Sequence, residues 1–122
     1  MSGHEVKNMS ASTEVRTFER AKIEMVKIAG GTVSRFELKK GWKWSTDIQP
    51  VVKTEWCEAP HLQYVISGRY RVKMRDGTEF EIGAGDVASV PPGHDAWVLG
   101  DAPVVGIEFV GGRIATEPPK KP

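Results

Sequence analysis

The sequence predicts a single all-β domain, built as a barrel or a sandwich of short strands. Thirteen glycines and eight prolines lie mostly between short apolar stretches, which is typical of strands joined by tight turns. The length of 122 residues suits one domain with its own core, and no internal repeat or linker divides the chain. A jelly roll is a favoured form of such a domain because it protects the sheet edges.

Composition argues against several classes of partner. With 17 basic and 16 acidic residues, the formal charge of +1 gives no electrostatic reason to expect nucleic acid or an anionic membrane as partner. The single cysteine, Cys57, rules out an internal disulfide framework and favours a cytoplasmic location. No apolar run approaches the ~20 residues of a membrane span, and the polar N-terminus does not look like a secretory signal.

The two ends of the chain are expected to lie outside the barrel. Residues 1–16 are polar and aperiodic, which predicts a flexible arm or a segment that orders on a partner subunit. Residues 118–122, rich in proline, predict a loose tail, so the barrel is assigned to residues 17–117. Strands are predicted at residues 22–28 and 32–38, and a helix is credible only around residues 12–22.

The middle of the chain carries the clearest strand. Residues 42–44 alternate, residues 45–54 resemble a loop, and residues 56–67 predict a longer strand bent at Pro60. Residues 70–75 alternate apolar and basic side chains over three periods, which strongly indicates a strand. Asp76-Gly77 then predicts a type I′ turn into a strand over residues 78–82.

The basic side chains of this region predict a solvated outer face and not an anion-binding patch. They are Arg69, Arg71, Lys73 and Arg75. Acids of the facing strand, such as Glu79 and Glu81, can balance them across the hairpin. Further short strands are predicted at residues 87–90, 96–99 and 104–110, separated by turns rich in glycine and proline.

Two glycine-bearing motifs resemble the core of the cupin superfamily. Tyr64-Val65-Ile66-Ser67-Gly68 is similar to the end of the family's first motif, and Gly85, Pro91 and Gly93 match its second motif at full spacing. The resemblance covers about residues 40–110 and indicates a small, type-2-like single-domain cupin. It implies a cupin-type jelly-roll barrel, a divalent metal ion at its centre, and pairing into a homodimer.

The metal-ligand positions depart from the cupin pattern. Glu55 and Cys57 stand where the family has two histidines, and His61 stands where it has glutamate. In the second motif Ala96 occupies the histidine position, and His94 lies two residues earlier.

These four residues, Glu55, Cys57, His61 and His94, are nevertheless the candidate metal ligands. The first three share strand parity, so all can point into the barrel. Thiolate, imidazole and carboxylate together favour zinc, with nickel, iron or manganese as alternatives. The competing interpretation makes Cys57 a small buried apolar residue, His61 a core histidine and His94 a turn residue.

Three other residues are candidates for a ligand pocket. Gln63 has the parity of His61, Trp97 adjoins the second motif, and Asp95 can orient the His94 ring. Trp42 and Trp44 are interpreted chiefly as core or dimer-interface packing.

Three functions remain open on the sequence. The leading hypothesis is a metalloprotein that binds a small organic molecule, in one form a metal-dependent enzyme with unassigned catalytic residues, where Glu55 or His94 is a candidate base. The alternatives are a non-catalytic module that binds a small ligand and a structural dimer without metal. The fold itself does not choose among these functions.

Overall fold

A computed structural model of the chain describes residues 3–111. The expected C-terminal tail, residues 118–122, lies outside the described residues. Nine strands are found in the described part: β1 (Glu14–Phe18), β2 (Ala21–Ile28), β3 (Gly31–Leu38), β4 (His61–Ser67), β5 (Arg69–Met74), β6 (Glu79–Gly83), β7 (Val87–Val90), β8 (His94–Leu99) and β9 (Val104–Gly111). Two short helices, α1 (Trp44–Asp47) and α2 (Gln49–Val52), and a 3-10 helix, Met9–Ala11, complete these elements.

The strands form two antiparallel sheets, which confirms the all-β prediction. One sheet has six strands in the order β1-β2-β3-β9-β4-β7, and the other has three in the order β6-β5-β8. Buried side chains of both sheets join in one apolar cluster, so the sheets enclose a common core. Hydrogen-bonded pairing does not close the sheets into one continuous barrel within residues 3–111, and the arrangement is that of a cupin-like jelly roll.

Alternation along each strand decides which side chains enter the core. On β8, His94, Ala96 and Val98 are buried while the residues between them are half-exposed. The three largest fully buried side chains are Val65, Val72 and Val104, on strands of both sheets. In residues 3–111 no helix is long and apolar enough to cross a membrane.

The prediction of a helix around residues 12–22 is wrong. Strands β1 and β2 occupy that segment and pair from Glu14 with Met25 to Phe18 with Ala21. A tight turn joins them, and Arg20 adopts a positive φ of 61° there. Pairing with a neighbouring strand therefore overrides the weak local helical tendency. β1 begins at Glu14, inside the segment expected to be an arm.

The expected loop at residues 45–54 contains both α-helices. Trp42 and Trp44 do not lie on a common strand, because α1 begins at Trp44 and Lys43 makes only an isolated bridge to Trp97. Both tryptophans are buried in the core cluster. The Asp47 carboxylate, also buried, accepts hydrogen bonds from the Arg20 guanidinium and the Lys43 amide, and so holds this segment against the β1–β2 turn.

The turn at Asp76-Gly77 is not of type I′. That turn needs positive φ at both central residues, and only Gly77 has it, at 92°. The Asp76 carboxylate instead accepts a hydrogen bond from the Thr78 amide, which stabilises a turn without positive φ at Asp76. Ion pairs between Arg71 and Glu79 and between Arg69 and Glu81 confirm the predicted solvated face.

The long strand predicted over residues 56–67 is interrupted. β4 begins only at His61, and Cys57 forms an isolated bridge with His94. The segment around Pro60, which lacks an amide hydrogen, separates the two. This interruption sets the direction from which Cys57 approaches the core.

Candidate metal centre and its cavity

Cys57, His61 and His94 bring their donor atoms together at one point of the molecule. One donor atom from each residue lies within 4.8 Å of the others. The Cys57 Sγ and the His61 Nε2 are 3.8 Å apart, and the rings of His61 and His94 meet edge to face with centroids 5.0 Å apart. In a tetrahedral zinc site with Zn–S of about 2.3 Å and Zn–N of about 2.0–2.1 Å, two ligand atoms are about 3.3–3.6 Å apart, so the Cys57–His61 separation is near that spacing and the cluster as a whole is slightly wider.

Backbone hydrogen bonds fix Cys57 beside His94. The Cys57 amide donates to the His94 carbonyl at 2.8 Å, and the Gly93 amide donates to the Cys57 carbonyl at 2.8 Å. Gly93 has a φ of 92°, a conformation that glycine adopts without strain. The backbone at residues 91–93 therefore places the His94 side chain in the interior, where it is only 4% exposed.

A backbone carbonyl defines which nitrogen of His94 is available. The Nδ1 atom of His94 lies 2.9 Å from the Pro91 carbonyl oxygen, which can only accept, so Nδ1 carries the hydrogen. In the neutral ring the Nε2 atom then keeps its lone pair for a metal ion or another partner.

A carboxylate defines which nitrogen of His61 is available. The His61 Nδ1 atom lies 2.7 Å from Glu108 Oε1 and donates to it, which directs Nε2 towards Cys57. Glu108 reaches this position because β9 pairs with β4, with Glu108 opposite Gln63.

A chain of hydrogen bonds continues from Glu108 into the core. The Gln63 Nε2 atom donates to Glu108 Oε1 at 2.8 Å, and the Tyr70 hydroxyl donates to Gln63 Oε1. Because an ionised carboxylate only accepts, the amide of Gln63 has a single satisfactory orientation. Sequence reasoning missed both Glu108 and Tyr70; the signal for Glu108 is its parity with buried Val104 on an otherwise apolar strand.

The surroundings shift the acidity of two of the three donors. Burial by itself raises the pKa of Cys57, but its interactions with His61 and His94 outweigh burial and lower that pKa to about 6. Burial lowers the pKa of His61, but Cys57 and Glu108 together raise it to about 9. Without a metal ion, the pair is therefore a thiolate beside an imidazolium at neutral pH.

The remaining candidate residues lie at different places. Glu55 is exposed and outside the three-residue cluster, and its backbone carbonyl accepts from the Gln49 side chain. The Asp95 carboxylate accepts from the backbone amides of Ser45 and Ala96, so it secures α1 to β8. Trp97 is half-buried beneath the Lys43 ammonium, 5.4 Å from the ring centroid. Gln63 lies in the wall of an internal cavity.

The three donors lie in the wall of a cavity of about 560 Å³ inside the jelly roll. Polar groups of Gln63, Tyr70 and Glu108 share that wall. Most of the rest is apolar and aromatic and comes from both sheets and the α1–α2 segment; examples are Phe36, Leu38, Trp42, Trp44, Ile48 and Val72. A cavity of this volume accommodates a small organic molecule.

A comparison of the sequence with protein families identifies one matching family. The sequence profile described as the EutQ-like cupin domain matches residues 42–105, more than half of the chain. The chain belongs to this cupin family. The matched segment of this cupin contains Cys57, His61 and His94, whereas Glu108 lies just beyond it. Among curated proteins no significant match is found.

Solved structures agree with the cupin fold. A protein of unknown function from Rhizobium leguminosarum superposes with a TM-score of 0.63 at 14% identity, covering 90% of this chain and 98% of its own. KdgF from a Halomonas species superposes with a TM-score of 0.56 at 18% identity, covering 82% and 87%.

A longer enzyme shares the same fold. Oxalate decarboxylase from Lactobacillus farciminis gives a TM-score of 0.60 at 19% identity, covering 89% of this cupin. This cupin spans only 34% of that enzyme's chain. At these identities the three structures support the jelly-roll prediction and carry no statement about activity.

Proposed function

We propose that this cupin is a metalloprotein that binds a small organic molecule at an ion held by Cys57, His61 and His94. The observation that carries the proposal is the convergence of these donors in a cavity wall, with the second nitrogen of each histidine already occupied. Pro91 and Glu108 accept hydrogen bonds from those nitrogens. Protein metal sites use this arrangement to orient imidazole ligands.

Zinc is the favoured ion, with nickel, iron or manganese as alternatives. One thiolate and two imidazoles suit a borderline ion better than magnesium or calcium, which prefer oxygen ligands. The three residues fit such an ion in number and donor type, and their donor atoms, within 4.8 Å of one another, would need to contract only slightly around it. Three protein ligands also leave a position at which a bound molecule can meet the metal.

The chemistry open to such a site follows from its ligands. A bound divalent ion would supply Lewis acidity towards an oxygen of the organic molecule. The apolar walls of the cavity would exclude water from the bound molecule. Glu108 would keep the His61 ring in the orientation that the metal site needs. The alternative function is a non-catalytic ligand-binding or structural dimeric cupin without metal, and metal content distinguishes it from this proposal.

Elemental analysis of protein purified from unsupplemented medium tests the proposal. Wild-type protein should contain close to one equivalent of zinc, nickel, iron or manganese. Cys57→Ala and His61→Ala should both lose most of it, while Glu81→Gln, which alters an exposed outer-face carboxylate, should keep it. Metal-free wild-type protein, even after reconstitution, would overturn the proposal in favour of the alternative.

The outer face of the six-stranded sheet supports a homodimer as part of this proposal. Leu62, Tyr64 and Ile66 point outward on β4 and are 44–49% exposed, and Val87 of the adjacent β7 is 73% exposed. Contiguous exposed apolar patches of this kind commonly mark an interface. We assign the patch to a second copy of the chain, and the free thiol of Cys57 favours a reducing, cytoplasmic location.

A further inference from the structure

The charge of the cavity limits what can bind there. Its charged lining residues besides the donor cluster and Glu108 are Arg16 and Glu58. The Arg16 side chain is 58% exposed and pairs with Glu14, and Glu58 pairs with Arg75. No lysine or arginine of the described lining therefore offers an unpaired charge to the interior.

A bound divalent ion would bring the centre to electrical neutrality. The Cys57 thiolate and the Glu108 carboxylate together carry two negative charges, which equal the charge of the ion when both histidines are neutral. A small dianion would then enter a largely apolar cavity without a compensating cation, and burying such charge is costly. A neutral or singly charged molecule meets no such penalty.

One hydrogen-bond acceptor in the cavity is left for a ligand. His61 and Gln63 both donate to Oε1 of Glu108. Both hydrogen bonds to Glu108 in residues 3–111 are accepted by Oε1, so the second oxygen, Oε2, remains available on a residue that lines the cavity. An acceptor without a donor at the polar end of an apolar cavity selects a ligand that brings a hydroxyl hydrogen.

The remaining wall suits a flat apolar body. Phe36, Trp42 and Trp44 contribute aromatic surface to the cavity, and its volume of about 560 Å³ exceeds what a two-carbon acid needs. Aromatic rings gain additional energy from offset or edge-to-face contacts with such side chains.

We propose that the cavity binds a neutral or singly charged hydroxy-aromatic or enolic molecule, with its hydroxyl at Glu108 and the donor cluster and its ring against the aromatic wall. The same site discriminates against small dicarboxylates. This inference rests on the proposed function, because it names the ligand class of that site.

Three probes separate the parts of this proposal. Zinc-loaded wild-type protein is titrated by calorimetry with 2-naphthol, with 2-methoxynaphthalene, which keeps the rings but lacks the hydroxyl hydrogen, and with oxalate. We expect 2-naphthol to bind at least about tenfold more tightly than either of the others, because each of them leaves an acceptor unpaired or brings uncompensated charge. Oxalate binding as tightly as 2-naphthol would overturn the charge argument, and equal binding of 2-methoxynaphthalene would overturn the role of Glu108.

A variant at the cavity wall tests where the probe binds. Met25 lines the cavity and is half-buried, so Met25→Trp should narrow it and weaken 2-naphthol at least tenfold. Val15→Trp is the control and should bind normally. Val15 is 51% exposed and, unlike Arg16 and Phe18 of the same strand β1, does not line the cavity. Unchanged binding by folded Met25→Trp would contradict the proposal, and if that variant does not fold, the wild-type probe series decides it.

Metal content measured on the same samples separates this proposal from the proposed function. Absence of zinc after reconstitution would overturn the proposed function. The 2-naphthol series, repeated on that metal-free protein, would still decide the ligand class, since the aromatic wall and Glu108 belong to the chain. Bound zinc with no preference for 2-naphthol would overturn the ligand class alone.

Discussion

Glu108 on β9 accepts a hydrogen bond from Nδ1 of His61 on β4 at 2.7 Å, across 47 residues of sequence. This contact determines that Nε2, and not Nδ1, faces the Cys57 sulfur. A single carboxylate thus sets the position and the protonation of a candidate ligand without entering the donor cluster itself.

Replacing Glu108 by Gln should weaken metal binding while leaving all three donors present. An amide cannot accept from both His61 and Gln63 as well as a carboxylate does, so His61 becomes a poorer and less fixed ligand. By analogy with other residues that support metal ligands, we expect the zinc dissociation constant to rise about 10–100-fold. Competition with a chromophoric chelator measures it.

The control for this variant is Glu81→Gln, which removes a carboxylate of equal size on the outer face of β6. Its zinc affinity should match that of the wild type. A Glu108→Gln protein of unchanged affinity would show that the His61 contact serves folding alone.

Cobalt substitution should distinguish Cys57 from Glu55. If Cys57 binds the ion, the cobalt-loaded protein should show a thiolate-to-cobalt charge-transfer band in the ultraviolet, and Cys57→Ser should lose it. Glu55→Gln should keep both the band and one equivalent of cobalt, because Glu55 is exposed and lies outside the cluster. Loss of cobalt in Glu55→Gln would return Glu55 to the ligand set.

Alkylation of Cys57 in metal-free protein should depend on pH with a midpoint near 6. Iodoacetamide attacks the thiolate, and the neighbouring histidines lower the thiol pKa from 9.0 to about 6, so the rate should level off above neutrality. In His61→Ala a major cause of the lowering is gone while burial persists, and the midpoint should move upward. A wild-type midpoint near 9 would contradict the thiolate–imidazolium pair.

Glycine at position 68 should be required for stability. Gly68 has a φ of 80°, and a Cβ atom there would clash with the Pro103 carbonyl oxygen and lie 2.8 Å from the Val104 Cα atom. Gly68→Ala therefore combines left-handed strain with a backbone clash, and we expect a loss of at least about 3 kcal/mol in the free energy of unfolding.

Gly77→Ala is the matched control for Gly68→Ala. Gly77 has a φ of 92° but open space around the added carbon, so only the strain of about 1–2 kcal/mol should remain. Urea denaturation measures both variants, and equal losses would mean that the structure around Pro103 yields to the new methyl group.

The proposed dimer should dissociate when its apolar patch is charged. Tyr64→Lys places an ammonium among Leu62, Ile66 and Val87, and we expect the dimer dissociation constant to rise at least about tenfold. Sedimentation velocity measures it. Val51→Lys, at a residue that is 63% exposed on α2, should leave the oligomeric state unchanged; a monomeric wild type would contradict the assignment of this face to a second copy.

The fold could be predicted from the sequence because its strands carry local signals. Alternation along residues 70–75 and the turn residues around Gly68, Gly85 and Gly93 act over a few positions, and the structure retains all of them. The segment of α1 and α2 lacks such signals, and the contact that holds α1, between Arg20 and Asp47, joins residues 27 positions apart.

The candidate site could be predicted only in part, because some of its contacts join residues far apart in the sequence. Parity within one strand indicated Cys57 and His61, but the interruption before β4 means that their proximity depends on the bridge between Cys57 and His94. Glu108 enters through the register of β9 against β4, which no local pattern of β4 reveals. Glu55 shares the parity of Cys57, yet the strand does not extend to it.

The bridge between Cys57 and His94 has a consequence for the order of folding and metal uptake. Two backbone hydrogen bonds hold these residues together before any ion arrives, unlike the ligands of a zinc finger, which are ordered by the metal. The chain can therefore complete its jelly roll first and acquire the ion afterwards. A chelator should then remove the ion while the protein stays folded. The ion that binds afterwards would depend on which metal is available in the surrounding solution.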